Sequence, residues 1–367
     1  MHVLITSDAV GGVWTYTREL VSGLTRRGHR VSLVSFGQRP SDEQLRWMRE
    51  LRGLEYHATD FPLEWMQDSA AGIAASMEYL QLLIERIKPD LLHSSQYCYG
   101  ALKCSIPKLV VAHSDVLSWW HEVHGSSPPD TPWLSWYRHI ASVGLRNADV
   151  VVAPSEWMLD AVRQYYASPA RGSVIYNGRD PALFSRSSHK QNCVLSVGRV
   201  WDQAKQIRLL LARSQSVPVK IAGSDQHPEK ASSAIMAAGS DENVTLLGSL
   251  SVDELLALYA RSSIYAATSR YEPFGLAPLE AALSGCALLV NDIPTFRELW
   301  GDSALYFRRN DADALADSIR NLGANARMRE EYGHRAALHA RERFDSQRMV
   351  LEYEELYREV ACLGVAA

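Results

Sequence analysis

The sequence lacks an apolar run long enough to cross a bilayer, which needs roughly 18–20 residues. At the amino terminus the apolar run that starts at Met1 is cut short by the polar pair Ser7-Asp8. Such a short run is typical of a strand and not of a signal peptide. These features predict a soluble cytoplasmic protein and leave peripheral membrane contact open.

A strong net charge is also missing, since the formal net charge is −4 at pH 7. There is therefore no electrostatic case for a nucleic-acid partner or for an anionic membrane. The cysteines are five, an odd number, and none of them show the spacing of metal ligands. We expect unpaired buried thiols in a reducing compartment.

What is present fits two domains, because 367 residues with 47% apolar content can bury two ordinary cores. The first half opens with a strand over 3–6, a loop containing Gly11 and Gly12, and a helix from about 15 to 27. This β-α-β order predicts the start of a doubly wound sheet. The loop is not G-x-G-x-x-G, so a dinucleotide is not favoured. A tight turn that needs glycine for geometry alone is the alternative for this loop.

Further elements follow from apolar runs and from Gly and Pro punctuation. Residues 41–90 carry a mostly helical pattern. Predicted strands cover 29–35, 91–94, 108–113, 150–153, 193–197, 219–222, 243–250, 263–268 and 287–290. Predicted helices cover 252–261, 277–284, 295–300 and 345–361, and Ser155 is predicted to cap the helix that follows it.

The stretch from Ser269 to Glu280 reads as a loop between a buried strand and a helix start. Free backbone N–H groups at a helix start attract phosphate. A carboxylate there would repel phosphate, so Glu272 and Glu280 are predicted to accept hydrogen bonds from sugar hydroxyls. The alternative for Glu280 is a purely structural one, because Glu near a helix amino terminus suits the macrodipole.

The two glutamates, eight positions apart around Pro273-Phe274-Gly275, resemble the E-x7-E signature of the retaining GT-B glycosyltransferases. The resemblance is to glycosyltransferase family 4 in particular. The segment Gly198-Arg199 followed by Lys205 is similar to that family's V-G-R-L…K segment, with Lys205 one residue later than usual. Residues 174–180 resemble its V-I-x-N-G-x-D linker, with tyrosine where proline is usual.

The resemblance implies an α/β fold of the GT-B type, with two Rossmann-like doubly wound parallel-sheet domains facing across a cleft. Residues 1–175 would form the acceptor-side domain, joined by a crossover helix within 345–367. Residues 176–344 would form the nucleotide-sugar domain.

The resemblance also implies roles for individual residues. Arg199 and Lys205 would grip the diphosphate, Glu272 a donor-sugar hydroxyl and Glu280 the ribose hydroxyls. His113, at the end of a predicted strand, would reach the donor sugar. The remaining donor-binding candidates are Gly11, Gly12, Gly198, Ser249, Leu250, Phe274, Gly275 and Leu276. A solvated basic pair and a satisfied strand-end histidine are the alternatives.

Tryptophans cluster between positions 119 and 136, where four occur. They could form a stacking platform for a sugar or an apolar acceptor, or could pack as a satellite core. We take Trp14, Trp119 and Trp120 as acceptor-site candidates.

The reaction implied is transfer of a sugar from a UDP-, GDP- or ADP-sugar to a hydroxyl of a sugar, lipid-linked or small-molecule acceptor, with retention. No metal and no cofactor are expected, because Arg199 and Lys205 would supply the positive charge. Asp311-x-Asp313 spells a metal-binding D-x-D, but it precedes an amphipathic helix and predicts a helix cap. The alternatives are a glycoside hydrolase using the two carboxylates and a catalytically silent nucleotide-sugar-binding protein.

Overall fold

The computed structural model divides the chain into two compact units. It describes residues 1–9, 11–166, 168–187, 189–225 and 242–365. The N-terminal unit comprises residues 1–121, 126–178 and 346–367, and the C-terminal unit comprises residues 122–125 and 179–345. Among the described residues, no helix is both long and apolar enough to span a bilayer.

The N-terminal unit contains one seven-stranded sheet with helices between the strands. The strands are β1 (His2–Asp8), β2 (Arg30–Phe36), β3 (Leu54–Ala58), β4 (Leu91–Ser94), β5 (Lys108–Val111), β6 (Val150–Ala153) and β7 (Gly172–Val174). The helices are α1 (Gly12–Arg26), α2 (Asp42–Leu45), α3 (Ala70–Ile87), α4 (Val116–His124), α5 (Pro132–Asn147) and α6 (Glu156–Tyr165), and the last residues of α4, 122–124, are assigned to the C-terminal unit. Ser155 caps α6 by accepting from the amide of Met158, as predicted.

The C-terminal unit contains one six-stranded sheet of the same kind. Its strands are β8 (Gln191–Val197), β9 (Val219–Ala222), β10 (Val244–Gly248), β11 (Ser262–Ala267), β12 (Ala287–Asn291) and β13 (Leu305–Phe307). Its helices are α7 (Arg208–Leu211), α8 (Val252–Arg261), α9 (Leu276–Leu283), α10 (Pro294–Trp300), α11 (Ala312–Ala324) and α12 (Ala326–Arg343). The final helix, α13 (Ser346–Val365), lies in the N-terminal unit.

Both sheets are wholly parallel and doubly wound, which confirms the predicted fold class. The strand order is β3-β2-β1-β4-β5-β6-β7 in the first sheet and β10-β9-β8-β11-β12-β13 in the second. Central strands such as β1 and β12 are buried on both faces, which explains their continuous apolar runs. In each sheet the order reverses once, beside β1 and beside β8, and ligands bind at such points in open α/β sheets.

One strand contradicts the sequence analysis. Residues 54–58 were expected to share the helical pattern of 41–90, but they form β3, which pairs with β2 in parallel register from Val31 opposite Leu54. The strand lies at the edge of its sheet and most of its side chains are only partly buried. Its pairing partner, and not its own weak pattern, therefore determines its structure. The short strands β7 and β13 were not predicted either.

Helix α13 packs against α1 in the core of the N-terminal unit. A Cβ atom on Gly23 would lie 2.4 Å from Cγ2 of Val350, so only glycine allows the two helices to approach this closely. On the same helix, the buried carboxylate of Glu354 accepts a hydrogen bond from Arg27 and lies 2.9 Å from Nε2 of His29. The predicted crossover helix thus belongs to the first unit.

The five cysteines are all free thiols. Cys98, Cys193 and Cys286 are buried, Cys104 is half-buried and Cys362 is exposed. The cysteines are therefore unpaired as expected, but only three of the five are buried.

Candidate active site

The predicted donor residues of the C-terminal unit lie at the carboxyl edge of its sheet, beside the point where the strand order reverses. Gly198 and Arg199 follow β8, and the loop from Thr268 to Gly275 follows β11. Strands β8 and β11 are hydrogen-bonded neighbours. The edge where these two strands end is where an open α/β sheet binds its ligand.

Glycines lie at or directly after the ends of three neighbouring strands of this sheet, β8, β9 and β10. The amide of Gly198 donates to the carbonyl of Ala222 (3.0 Å), and that of Gly223 donates to the carbonyl of Gly248 (2.7 Å). Gly223 has φ +143°, and a Cβ there would lie 1.9 Å from the Gly198 carbonyl oxygen. Because no side chain fits at Gly223, bare backbone forms this part of the edge.

A short 3-10 turn places Lys205 over the first of these glycines. The carboxylate of Asp202 caps the turn by accepting from the amide of Ala204 at 2.9 Å. The Lys205 carbonyl accepts from the Thr268 hydroxyl at 2.6 Å, which fixes the turn to the loop after β11. A Cβ on Gly198 would lie 3.4 Å from Cγ of Lys205, so the lysine stem passes directly over the strand end.

The ammonium of Lys205 meets the first predicted glutamate. Its Nζ lies 2.6 Å from Oε2 of Glu272, and the Ser269 hydroxyl donates to the same oxygen at 2.9 Å. Both charged groups of the pair are largely but not fully buried. A charge-assisted hydrogen bond of this kind holds both side chains in one geometry.

Arg199 lies at the same edge and is more open to solvent. Its side chain is 53% exposed, its guanidinium stacks over the Trp201 ring at 5.1 Å, and Nη2 donates to Oδ2 of Asp202 at 2.8 Å. A guanidinium carries five N–H donors. The contact with Asp202 therefore orients Arg199 and leaves donors for a phosphate.

Helix α9 begins where the loop after β11 ends. Gly275 precedes it with φ +93°, a conformation that strains any residue with a side chain, and Pro278 lies in its first turn. The Phe274 ring is buried edge-on against Phe344 at 5.3 Å, so its contribution to a site would come from its backbone. The amides at the start of α9, from Leu276 on, lack carbonyl partners within the helix, which suits an anion or a sugar oxygen.

Glu280 projects from α9 and pairs with a residue that the sequence analysis did not single out. Oε1 of Glu280 lies 3.0 Å from Nε of Arg179. The nearby charge of Glu280 also helps to raise the pKa of Tyr259 well above its usual value, after the larger effect of burial. Ser249 and Leu250, two of the predicted donor-binding residues, follow β10, and Ser249 is exposed.

The predicted residues of the N-terminal unit lie at the carboxyl edge of the other sheet. Gly11, with φ +73°, is the residue before α1, and Gly12 is the first residue of that helix. His113 follows β5; its ring contacts Tyr16 edge-on at 4.5 Å, and its Nε2 lies 3.4 Å from the Ser95 hydroxyl. Burial lowers the pKa of His113 to about 3, so the imidazole is neutral at pH 7.

The tryptophans fall into two groups. Trp119 and Trp120 lie on α4, partly exposed, with their rings 6.3 Å apart. Trp14 is only 6% exposed and its indole N–H donates to the Gln44 carbonyl, so it belongs to the core rather than to an open surface. Trp133 is stacked on Tyr137 and packs against a buried cluster, as in the satellite-core alternative.

Asp311 and Asp313 have the roles that a helix start predicts. Asp311 accepts from the amide of Ala314, and Asp313 pairs with Arg213. Within the part of the chain that the structure describes, no group of three or more His, Cys, Asp or Glu side chains is arranged to hold a metal ion.

Sequence reasoning missed three residues that fix the predicted ones: Asp202, Ser269 and Arg179. Asp202 and Ser269 are three positions from their partners, a spacing that could have suggested local pairing. Arg179 is far from Glu280 in the sequence, and nothing in its own neighbourhood indicates the contact.

Comparison with known protein families matches almost the whole chain. The model of Glycosyltransferase Family 4 matches residues 10–183, and that of Glycosyl transferases group 1 matches residues 183–339. The chain belongs to glycosyltransferase family 4. The enzyme is therefore a glycosyltransferase, which sets aside the hydrolase alternative and confirms the resemblance carried by Glu272, Glu280 and Gly198-Arg199.

Curated relatives of the enzyme include glycosyltransferases of several kinds. The O-antigen chain mannosyltransferase RfbU of Salmonella typhimurium is 25% identical over 51% of this chain and 54% of its own length. The chain thus spans about half the length of that relative. The D-inositol 3-phosphate glycosyltransferase of Corynebacterium efficiens is 24% identical over 95% of this chain and 90% of its own length.

Solved structures similar to the enzyme have the same architecture. Sucrose-phosphate synthase from Thermosynechococcus elongatus has a TM-score of 0.82 at 18% identity and covers 100% of both chains. Anabaena HepE, solved in complex with UDP, has a TM-score of 0.73 at 18% identity and covers 98% of this chain and 100% of its own. These neighbours are GT-B glycosyltransferases, which confirms the predicted GT-B fold.

Proposed function

We propose that the enzyme transfers a sugar from a nucleotide-diphosphate sugar to an acceptor hydroxyl, with retention of anomeric configuration and without a resident metal. The observation that carries this proposal is the convergence of Arg199, Lys205 and the start of α9 on one sheet edge. In the reaction, the bond between the sugar and the diphosphate breaks and a bond to the acceptor oxygen forms. The acceptor hydroxyl gives up its proton, and the nucleoside diphosphate leaves.

The two cations would act on the leaving group. Negative charge grows on the diphosphate as its bond to the sugar breaks, so a fixed positive field stabilises the transition state more than the ground state. Arg199 offers a planar set of donors for phosphate oxygens, and Lys205 offers a point charge. Their anchors, Asp202 and the loop after β11, support this role because they hold the charges in place before the reaction.

The carboxylates would read the hydroxyls of the donor. Glu272 is oriented by Lys205 and Ser269, which engage Oε2. A carboxylate has two oxygens and about four lone-pair sites, so Glu272 retains acceptor capacity for a sugar hydroxyl. Glu280 would take the ribose hydroxyls, and neutral His113 would contact the donor sugar.

The donor and the acceptor are proposed by class. HepE was solved with UDP-glucose, and relatives include a GDP-mannose-dependent mannosyltransferase that acts on a cellobiosyl-diphosphopolyprenol. We therefore propose a UDP-, GDP- or ADP-sugar as the donor. A sugar, a lipid-linked saccharide or a small molecule would be the acceptor, with Trp119 and Trp120 as stacking surfaces and the cytoplasm as the compartment.

The proposal is tested by a thermal-shift screen of UDP, GDP and ADP and their sugars. A ligand that binds only the folded protein raises Tm, so one base should produce a clear shift. Arg199→Glu should abolish that shift, whereas Arg208→Glu, at an exposed position on α7, should preserve it. A shift unchanged in Arg199→Glu would refute the diphosphate assignment.

Turnover and stereochemistry are tested with the nucleotide that the screen selects. Release of nucleoside diphosphate in the presence of an acceptor should be followed in buffer with EDTA, and the product anomer should be read by NMR. The α-linked donor should give an α-linked product. An inverted product, or no turnover with any acceptor class, would contradict the proposal.

A further inference from the structure

Arg179 is a buried arginine at the point where the chain enters the C-terminal unit. Its side chain is 4% exposed, and that of Glu280 is 13% exposed. Removing charges from water is costly, so a buried arginine persists only when a partner compensates it. The contact between Nε and Oε1 of Glu280, at 3.0 Å, supplies that compensation.

Both the backbone and the guanidinium of Arg179 make further contacts. The backbone amide of Arg179 donates to the carbonyl of Phe344 at 3.0 Å, and the residue forms an isolated parallel bridge with Asp345. The guanidinium also lies 5.3 Å from the centroid of the Phe184 ring, within the range of a cation–π contact. These contacts hold Arg179 in place, and Arg179 in turn orients the Glu280 carboxylate.

Glu280 lies near two other side chains of the C-terminal unit. It lies on α9, with Arg179 on one side and the buried ring of Tyr259, from α8, as a second neighbour. Without its arginine partner, this largely buried carboxylate would lose the contact that keeps it in one rotamer. The arginine engages Oε1, and a carboxylate has a second oxygen that can accept hydrogen bonds from a ligand.

We propose that Arg179 is a positioning residue that fixes the Glu280 carboxylate for recognition of the ribose hydroxyls of the donor. This inference rests on the proposed function, because it requires a nucleotide with a ribose at the site. Arg179 touches no substrate in this scheme. Its effect is to keep the Glu280 carboxylate in one rotamer, so that hydroxyl recognition costs no rearrangement on binding.

The test compares the affinity of a nucleoside diphosphate with that of its 2′,3′-dideoxy counterpart, using the base selected by the thermal-shift screen. Kd is measured by calorimetry for both ligands. The dideoxy ligand cannot form the hydrogen bonds between the ribose hydroxyls and the charged Glu280 carboxylate. The wild-type enzyme should therefore bind the ribose form about tenfold more tightly or better. In Glu280→Gln and Arg179→Gln that ratio should fall close to one, with little change in the Kd of the dideoxy ligand.

Two further variants keep the test decisive. Arg179→Lys retains the charge but not the planar donor set, so its preference for the ribose form over the dideoxy form should fall at least threefold. This variant also tests the role of Arg179 if Arg179→Gln does not fold. Arg348→Gln is the matched control, because Arg348 on α13 pairs with Glu352 and the Tyr176 carbonyl and does not contact Glu280. Its ratio should equal that of the wild type.

The outcomes separate this inference from the proposed function. A wild-type ribose preference that survives in folded Arg179→Lys or Arg179→Gln overturns the role of Arg179 and leaves the glycosyl-transfer proposal standing. Failure of the wild-type enzyme to bind any nucleoside diphosphate overturns both. Loss of the preference in the Arg179 and Glu280 variants, with the Arg348 control intact, supports the inference.

Discussion

The ammonium of Lys205 lies 2.6 Å from Oε2 of Glu272, so the cation proposed to hold the diphosphate also orients the carboxylate proposed to hold the sugar. Each side chain compensates the charge of the other in a largely buried place. The pair therefore acts as one unit, and removing either member leaves a charge without its partner.

The first prediction concerns this pair. Lys205→Met should lower kcat/KM on the order of a hundredfold, because one fixed stabiliser of the leaving group is lost. Lys220→Met is the control, since Lys220 is a lysine of β9 that contacts Gln191 at the surface. In Lys205→Met/Glu272→Gln, the loss should be smaller than the sum of the single losses. Full activity of Lys205→Met would remove Lys205 from the proposed mechanism.

The second prediction concerns the glycines at the strand ends. Gly223→Ala introduces a methyl group 1.9 Å from the Gly198 carbonyl oxygen, so it should strongly destabilise the C-terminal unit and abolish nucleotide binding. Gly248→Ala is the matched control: it also has positive φ, but its Cβ meets nothing within 4 Å. It should cost only about 1–2 kcal/mol of the free energy of unfolding. Urea unfolding measures both, and equal costs would contradict the close approach.

The third prediction concerns Asp311 and Asp313. Their carboxylates serve a helix cap and a surface ion pair, so Asp311→Ala and Asp313→Ala should keep the wild-type turnover, and Asp311→Ala should lower Tm. Turnover should not change when EDTA is added. Activity that disappears on chelation and returns with Mn²⁺ would argue for a metal in the reaction.

The fourth prediction is a pH dependence of stability from His93. This buried histidine has Nε2 3.1 Å from the Tyr16 hydroxyl and Nδ1 2.6 Å from the Tyr357 hydroxyl. Burial lowers its pKa from 6.5 to about 3. Between these two pH values the unfolded chain binds a proton at His93 that the folded chain does not bind. The contribution of His93 to the free energy of unfolding is therefore fully present above pH 6.5 and is lost as pH falls toward 3.

Urea unfolding between pH 7.5 and 4.5 checks this prediction. His93→Gln keeps hydrogen-bonding capacity but does not titrate, so its free energy of unfolding should fall less steeply with acidification than that of the wild type. Parallel curves for the two proteins would show that His93 does not contribute. Catalytic activity in the same range should show no ionisation of His113, whose pKa is also about 3.

Much of the fold could be predicted because buried parallel strands are continuous apolar runs with a clear pattern. The strands β1 and β12 are examples. The edge strand β3 could not be predicted in this way, because its residues alternate weakly and its structure depends on pairing with β2. Edge strands and short strands take their conformation from the neighbouring strand, information that a local pattern does not contain.

The residues of the candidate site differ in the same way in how far the sequence could predict them. Glu272, Glu280, Gly198 and Arg199 could be singled out because motif spacing along the chain identifies them. The residues that orient them could not, since the contact of Arg179 with Glu280 joins segments far apart in the sequence. Burial could not be predicted either, since the acceptor candidate Trp14 is packed in the core.

The position of α13 has a consequence for synthesis on the ribosome. Domains of a nascent chain usually fold in the order in which they emerge. Here the helix that covers α1, including Val350 against Gly23, is translated only after the whole of the C-terminal unit. The N-terminal unit therefore emerges first but completes its packing last. Until α13 has been translated, the apolar surface of α1 that it covers is accessible to chaperones.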